Sequence, residues 1–498
     1  MKFSISTLSP EQLKLDTLVL NIFEGDQNLS PRVAQIDQAL DSVISQGLKN
    51  GEIKAKLFES TLIYTFGKIT PKKVLVLGSG KSSEFDSAKL TKLAAFAGRT
   101  LAKKGITQAG LCISTPKPDL REMSLMVEGL LTGVFDPAIY VSKKEDVKDL
   151  SDVVFNLDVP TSEKVEAEIT NGVQVGECIN WARRLVAEPA NILTPQRVVE
   201  EAKSLATEFD LEIEVLDEKQ AREKGMGAFC AIASGSDEPS FMVKLAYHGA
   251  KSPKKSVLGL VGKGVTFDSG GISIKPSDKM EEMKMDMAGA ATVLSAMRLV
   301  AMTKPNIDVV GVMPITENLP SGKSVRPGDV VKAMNGKTIE VINTDAEGRV
   351  VLADALLWSQ EMGITHLIDL ATLTGAVISA LGYEVSGVMG NNQEWLNKII
   401  EHANKAGEKM WQLPSFDLYK ELLKSSIADY ANVPSSRQAG SIAGAMFLSE
   451  FVAPGIPWVH IDIGGTAWLN SEKPYMAKGP TGVGLKTISS LINEVATN

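Results

Sequence analysis

Histidine, cysteine and basic charge are scarce in this chain, and each scarcity closes off a class of function. Among 498 residues there are four histidines, His248, His366, His402 and His460, all scattered. No His-x-x-x-His or Cys-x-x-Cys set occurs, which disfavours a histidine-ligated zinc protease. The three cysteines, Cys112, Cys178 and Cys230, are odd in number and widely spaced. That spacing argues against a disulfide scaffold and fits a reducing compartment. The net charge of -8 argues against a general nucleic-acid binder, because phosphate recognition wants a basic face; a local basic patch stays open. No uninterrupted apolar run reaches the roughly 18 residues of a transmembrane helix. The longest candidate, 367–390, is broken by Asp369, several glycines and Glu384. The first ten residues carry no apolar h-region, so no signal peptide is read. The expectation is a cytoplasmic protein with no membrane partner.

What is present is an ordinary globular composition, 44% hydrophobic and 22% charged, on a chain too long for one core. Strand and helix patterns alternate from the start. Strands are read at 73–77 and 110–114, and helices at 88–104 and 125–133. This predicts a small N-terminal α/β domain over residues 1–160. A linking helix follows at 161–189, stopped by Pro189 and Pro195. The C-terminal domain, 190–498, has helix patterns at 197–208, 288–300, 350–361 and 444–451. Its strand patterns fall at 241–247, 257–261, 307–312, 366–370 and 458–463. Such alternation predicts an α/β/α domain around a central mixed sheet. Ligands in these sheets bind where loops leave the carboxyl ends of strands. Asp268 and Asp286 fall at such places.

The most informative stretch is Asn343-Thr344-Asp345-Ala346-Glu347-Gly348-Arg349. Read as extended chain, it places Asp345, Glu347 and Arg349 on one face. Neighbouring carboxylates disfavour each other's ionisation, and a cation between them removes that cost. Upstream, Gly262-Lys263-Gly264 leads to Asp268-Ser269-Gly270-Gly271 and on to Asp286. Taken singly, each acid reads as a solvated loop residue or a helix cap, Asp286 as a cap before Ala288. Glycines around the acids point instead to close backbone approach. If Asp268, Asp286, Asp345 and Glu347 converge, two divalent cations neutralise them. Their oxygen ligands suit Mn²⁺, Zn²⁺ or Mg²⁺.

These segments resemble the leucyl aminopeptidases, the dinuclear-metal M17 peptidase family. The resemblance extends over Gly262 to Pro276, Asp286, Asp369 to Ala376, Asp462 to Trp468, Glu188 to Pro195 and Gly482-Val483-Gly484, essentially the whole second domain. Val350 stands where the family usually has leucine. The resemblance implies two metal ions held by Asp268, Asp286, Asp345 and Glu347, with Asp268 and Glu347 bridging and Asp345 adding its main-chain carbonyl. It implies Lys263 as an amine ligand, which requires a neutral lysine. It further implies Lys275 as the catalytic cation that stabilises the oxyanion. Arg349 is implied as the holder of a bicarbonate that serves as general base. Leu373, Thr372, Gly375, Asn343, Met283 and Ala467 are implied at the anion and substrate sites. The expected partners are peptides with a free N-terminus, and the expected assembly is a homohexamer. The alternatives are a dinuclear-metal phosphoesterase, or this fold with an added DNA-binding role.

Two motifs are decoys. Asp268-Ser269-Gly270-Gly271 mimics a serine nucleophile but lacks a preceding glycine and a histidine partner. Gly78-Ser79-Gly80-Lys81-Ser82 mimics a phosphate loop, yet Leu75 stands where its first glycine belongs. His460 and Asp462 read as core, and Cys230 as a packed thiol.

Overall fold

A computed structural model of the chain describes residues 1–25, 29–142, 149–156, 162–251, 256–436 and 438–497. Contacts divide it into two units, Met1–Asn180 with Ser471–Lys478 and Trp181–Asn470 with Gly479–Asn498. The expected boundary between 160 and 161 lies outside the described residues.

The first unit is built on a six-stranded sheet of β1 (Lys2–Ser6), β2 (Thr17–Glu24), β3 (Ser60–Tyr64), β4 (Lys73–Lys81), β5 (Gln108–Cys112) and β6 (Asp152–Asn156). Its order is β1-β6-β5-β2-β4-β3, parallel except at β3. Helices Ser87–Lys103 and Arg121–Gly133 cover it, the first capped by the Asp86 side chain. The glycines of the phosphate-loop decoy serve packing: a Cβ on Gly78 would meet the Lys56 carbonyl at 2.1 Å. The helix Glu163–Ala187 begins in this unit and ends in the second.

The second unit holds a nine-stranded mixed sheet. Its members are β7 (Glu212–Asp217), β8 (Phe241–His248), β9 (Val257–Gly262), β10 (Gly264–Asp268), β11 (Asp308–Asn318), β14 (His366–Ala371), β15 (Ser386–Gly390), β16 (Met410–Gln412) and β18 (Trp458–Asp462). The order is β16-β15-β18-β14-β9-β11-β8-β7, with β10 beside β11. Strands β11, β9, β14 and β18 run parallel at the centre. They read as near-continuous apolar runs because both faces are covered. A small separate sheet contains β12 (Asp329–Lys332), β13 (Thr338–Val341) and β17 (Tyr430–Ala431). Helices Ala288–Thr303, Glu347–Gln360 and Gly440–Ser449 are buried along most of their length.

The predicted segments reappear with shifted ends. Strand β11 runs through Pro314 to Asn318, six residues beyond the expected end at 312. Among the described residues, the segment Met280–Thr303, rather than 367–390, is long and apolar enough for a membrane span, with mean hydropathy 1.3. Its most apolar window is 83% buried inside the protein, which makes it a core element.

Candidate metal centre

The central strands deliver the chemistry at their carboxyl ends, where such sheets expose loops. Lys263 directly follows β9, Asp268 ends β10, Asn318 ends β11, Thr372 follows β14 and Asp462 ends β18. Two further acids arrive on short 3-10 turns: Asp286 on Met280–Met287, and Asp345 on Thr344–Ala346. Glu347 then opens the helix Glu347–Gln360.

That last arrangement corrects the extended reading of 343–349. The strand stops at Val341, and Asn343 caps the turn by accepting from the Asp345 amide at 2.9 Å. Asp345 and Glu347 therefore point from a turn and a helix start, not from one strand face. The cap reading of Asp286 also fails. The Ala288 helix is preceded by Met287 with no side-chain cap. Asp286 instead accepts from Lys263 Nζ and Thr372 Oγ1, both at 2.7 Å on Oδ1.

Ligand oxygens of Asp268, Asp286 and Glu347 all lie within 4.8 Å of one another. All three are buried, Glu347 at 1% exposure. Lys263, 3% exposed, reaches Asp286 and Glu347 at 2.7 Å each and donates to the Thr372 carbonyl at 3.0 Å. Lys275 meets Asp268 at 2.7 Å and Asp345 at 2.5 Å, so it draws Asp345 to the cluster. Neither lysine is a free solvent side chain: Lys263 is 3% exposed and the Lys275 side chain 20%. Burial, seconded by neighbouring carboxylates, pushes the Glu347 carboxyl up; Asp286 is pushed up by burial too, with Lys263 opposing. Burial works against the ammonium of each lysine, yet the carboxylates outweigh it and both pKa values are raised.

Counted as fully ionised, the four carboxylates exceed the two ammoniums by two charges, and the raised pKa values of Glu347 and Asp286 reflect burial first and then that excess. Glu347 Oε2 is buried and accepts no hydrogen bond, and Asp286 Oδ2 and Asp345 Oδ1 meet lysine without hydrogen-bond geometry. A buried carboxylate oxygen with no partner, as Glu347 Oε2 is, is costly unless a cation meets it. The residues present therefore fit divalent metal ions, and the all-oxygen acid set suits hard or borderline dications.

Two glycines make the packing possible. A Cβ on Gly348 would lie 2.5 Å from Lys263 Cε, so the lysine passes where a side chain would be. Gly270 takes φ +89, and a Cβ there would press on Asp345 Oδ1 at 2.8 Å.

Arg349 is buried without an ion pair among the described residues, so it is not tied to Glu347. Its Nη1 donates to the Asn432 carbonyl at 2.9 Å, and its Nε has no partner. Burial holds its pKa down to about 10, with Glu347 and Asp462 opposing, so it stays charged at neutral pH. Leu373 Cδ2 and Arg349 Nη2 converge beside Gly444, at 3.1 and 3.4 Å from where a Cβ would sit. The Leu373 amide, however, donates to Asp462 Oδ1 at 3.2 Å. Gly375 starts the helix Ala376–Leu381 and has open space beside it. Met283 lies one 3-10 turn before Asp286, and Ala467 is buried with its carbonyl accepting from the Thr481 amide.

Three polar residues of this centre escape sequence reasoning. Asn318 donates to Asp268 Oδ1 at 2.8 Å and to the Thr344 carbonyl at 3.0 Å. Asn432 braces the 342–346 segment. Asp462 is core, as read, fully buried at the end of β18, but its role is not: it accepts from the Leu373 amide and from Thr374 Oγ1 at 2.6 Å. A polar residue at a strand's carboxyl end was the available signal for Asn318 and Asp462.

Comparison with known proteins agrees with this geometry. Residues 180–489 match the catalytic domain of the cytosol aminopeptidase family, and residues 19–144 match its N-terminal domain. A probable cytosol aminopeptidase of Solibacter usitatus is 43% identical, covering 99% of each chain. One from Koribacter versatilis is 41% identical over the same shares. Among solved structures, a mutant of tomato leucine aminopeptidase superposes with a TM-score of 0.90 at 30% identity, over 99% of this chain and 96% of that one. The bottromycin maturation enzyme BotP in complex with Mn gives 0.85 at 28% identity, over 97% and 100%. The chain belongs to the cytosol aminopeptidase family, whose members are metal-dependent aminopeptidases.

Proposed function

We propose that the centre holds two divalent ions and a bicarbonate and releases leucine-like residues from the free N-termini of peptides. The observation that carries this reading is the cluster of three buried carboxylates within 4.8 Å, with Glu347 Oε2 unpaired. Asp268, Asp286, Asp345 and Glu347 would hold the ions; Lys263, an ammonium in the ion-paired set, would serve as a further ligand only after losing its proton, which neighbouring dications would favour. When bound, the ions acidify a water and polarise the scissile carbonyl, and the bicarbonate supplies a proton acceptor. Lys275, two-point held by Asp268 and Asp345, presents an ammonium that stabilises negative charge on the carbonyl oxygen. Arg349, with Nε free of protein partners, presents a planar donor edge suited to a small oxyanion. Thr372, Leu373 and Gly375 lie in the loop along which substrate would lie, and Asn343, Met283 and Ala467 would be further substrate-side residues. Domains 1–160 and 190–498 joined by a 161–189 link, a hexameric assembly and a cytoplasmic setting complete the reading.

The test is hydrolysis of leucine p-nitroanilide beside p-nitrophenyl phosphate, with Mn²⁺, Zn²⁺ or Mg²⁺ restored to chelated protein. Cleavage of the anilide alone, restored by metal, is expected. Phosphate-ester cleavage without anilide cleavage would replace this reading with the phosphoesterase one. Activity that survives full chelation would refute both.

A further inference from the structure

In the proposed function, the acids that would hold the ions and the arginine that would hold the proton acceptor must keep their places relative to one another. One residue outside that set touches both halves. Asn432, which follows β17, is fully buried. Its Nδ2 donates to the Asn343 carbonyl at 2.7 Å and to the Ala346 carbonyl at 3.3 Å. Its Oδ1 accepts from the amides of Ile342 at 2.9 Å and Asn343 at 3.3 Å. Its main-chain carbonyl takes Arg349 Nη1 at 2.9 Å. Its own amide donates to the Glu340 carbonyl at 2.9 Å, continuing the β13–β17 pairing.

We infer that Asn432 is the positioning residue that sets the acidic turn of Asp345 and Glu347 in register with the Arg349 guanidinium. The inference rests on the proposed function of this site and adds a determinant of its geometry. Between Val341, where β13 ends, and Glu347, where the helix begins, the chain makes a short turn. Such a turn leaves backbone groups without regular partners. Asn432 satisfies four of them with one side chain, using both donor and acceptor ends of its amide. No other side chain type of this size offers donors and acceptors in that planar arrangement. The turn's remaining ties run to the other acid segment: Thr344 Oγ1 donates to the Gly270 carbonyl, and Asn318 holds the Thr344 carbonyl. Asn432 is thus the link toward Arg349, while Asn318 is the link toward Asp268. Arg349 needs such a link because it is buried and, among the described residues, no carboxylate forms an ion pair with it. The Asn432 carbonyl fixes one end of its fork and leaves the Nε edge for an oxyanion.

Two variants test this. Asn432→Ala removes the side-chain brace and keeps the main-chain carbonyl. Asn432→Asp keeps the acceptor end but sets carboxylate oxygen against the carbonyls of Asn343 and Ala346. Leu396→Ala, a buried position in helix Gln393–Ala406 away from the centre, reports what lost packing alone does. The measurements are thermal unfolding, Mn²⁺ affinity by titration calorimetry, kcat and KM on leucine p-nitroanilide, and the sodium bicarbonate concentration giving half-maximal rate. In the folded, Mn²⁺-saturated Asn432 variants, kcat is expected to fall about 10²-fold, the scale of a misplacement near 1 Å. KM should change little, Mn²⁺ binding should weaken, and the bicarbonate requirement should rise; Leu396→Ala should lower only the melting temperature. If Asn432→Ala does not fold, Asn432→Asp carries the same measurements, and a failure of both is read with Asn432→Ser. Wild-type kcat and bicarbonate response in any folded variant overturns the inference and leaves the proposed function standing. A wild-type protein that cleaves no anilide with metal restored overturns the proposed function itself.

Discussion

Alanine at position 348 sets two calculable effects against each other. Its Cβ would lie 2.5 Å from Lys263 Cε, 2.7 Å from Nζ and 2.8 Å from Cδ. Relaxed contacts between heavy atoms fall at about 3.5–4.0 Å, so the lysine must retreat by about 1 Å. It has nowhere easy to go, because its ammonium is held by Asp286, Glu347 and the Thr372 carbonyl. Forcing a methyl into such packing costs about 1–3 kcal/mol. Glycine to alanine inside a helix returns about 0.5–1 kcal/mol, and residue 348 lies in the helix Glu347–Gln360. The net loss of stability is therefore small, about 0–2.5 kcal/mol. Activity has no such compensation, since a displacement of about 1 Å at a reacting centre costs about 10²-fold. The expected result for Gly348→Ala is a nearly normal melting temperature with turnover about 10²-fold down, read on leucine p-nitroanilide at saturating Mn²⁺. Wild-type turnover in a folded, metal-loaded variant refutes the reasoning, because it would mean that Lys263 can move without consequence.

Glu347→Ala removes the buried carboxylate whose Oε2 has no protein partner. Metal content by elemental analysis should fall below that of wild type, and turnover should drop by more than the about 10–100-fold typical of an outer partner; retained metal with normal turnover counts against the cluster. Lys275→Ala should lower turnover by about 10²–10³-fold with metal content unchanged; loss of metal in that variant makes Lys275 a holder of the ions instead. His460 tests the buried pair it forms with Asp369, 2.6 Å away. Burial alone lowers its pKa, but the Asp369 carboxylate outweighs that, and the value stands raised. A raised folded pKa gives stabilisation that is complete below the unfolded value of about 6.5 and lost as pH rises through the folded one. Denaturant melts should accordingly show His460→Gln losing more stability at pH 6 than in alkali; a gap that widens with pH sinks the assignment.

Much of this was legible in the residues because it depends on local pattern. The central strands announce themselves by near-continuous apolar runs, and the acid and lysine identities lie in segments whose glycines mark close approach. Illegible were the features set by tertiary contact. The 343–349 stretch alternates as a strand would, yet Asn343 caps a turn there and the helix claims Glu347. Asp286 has the sequence position of a cap, but Lys263, 23 residues earlier, takes it for an ion pair. Asn432 bonds to residue 343 across 89 positions, and nothing near Asn432 signals that partnership. An asparagine between small residues looks the same in a surface turn as it does in a brace.

The centre draws its parts from residues 263 to 462, carried on strands that pair side by side yet lie far apart along the chain. During synthesis the acids emerge well before Asn432 and Asp462, the groups that steady the turn and the Leu373 loop. A growing polypeptide therefore carries its carboxylates long before it can hold them in order. The set is complete only where β18 lies beside β14, so the last part of the centre to be made is also the strand that carries Asp462.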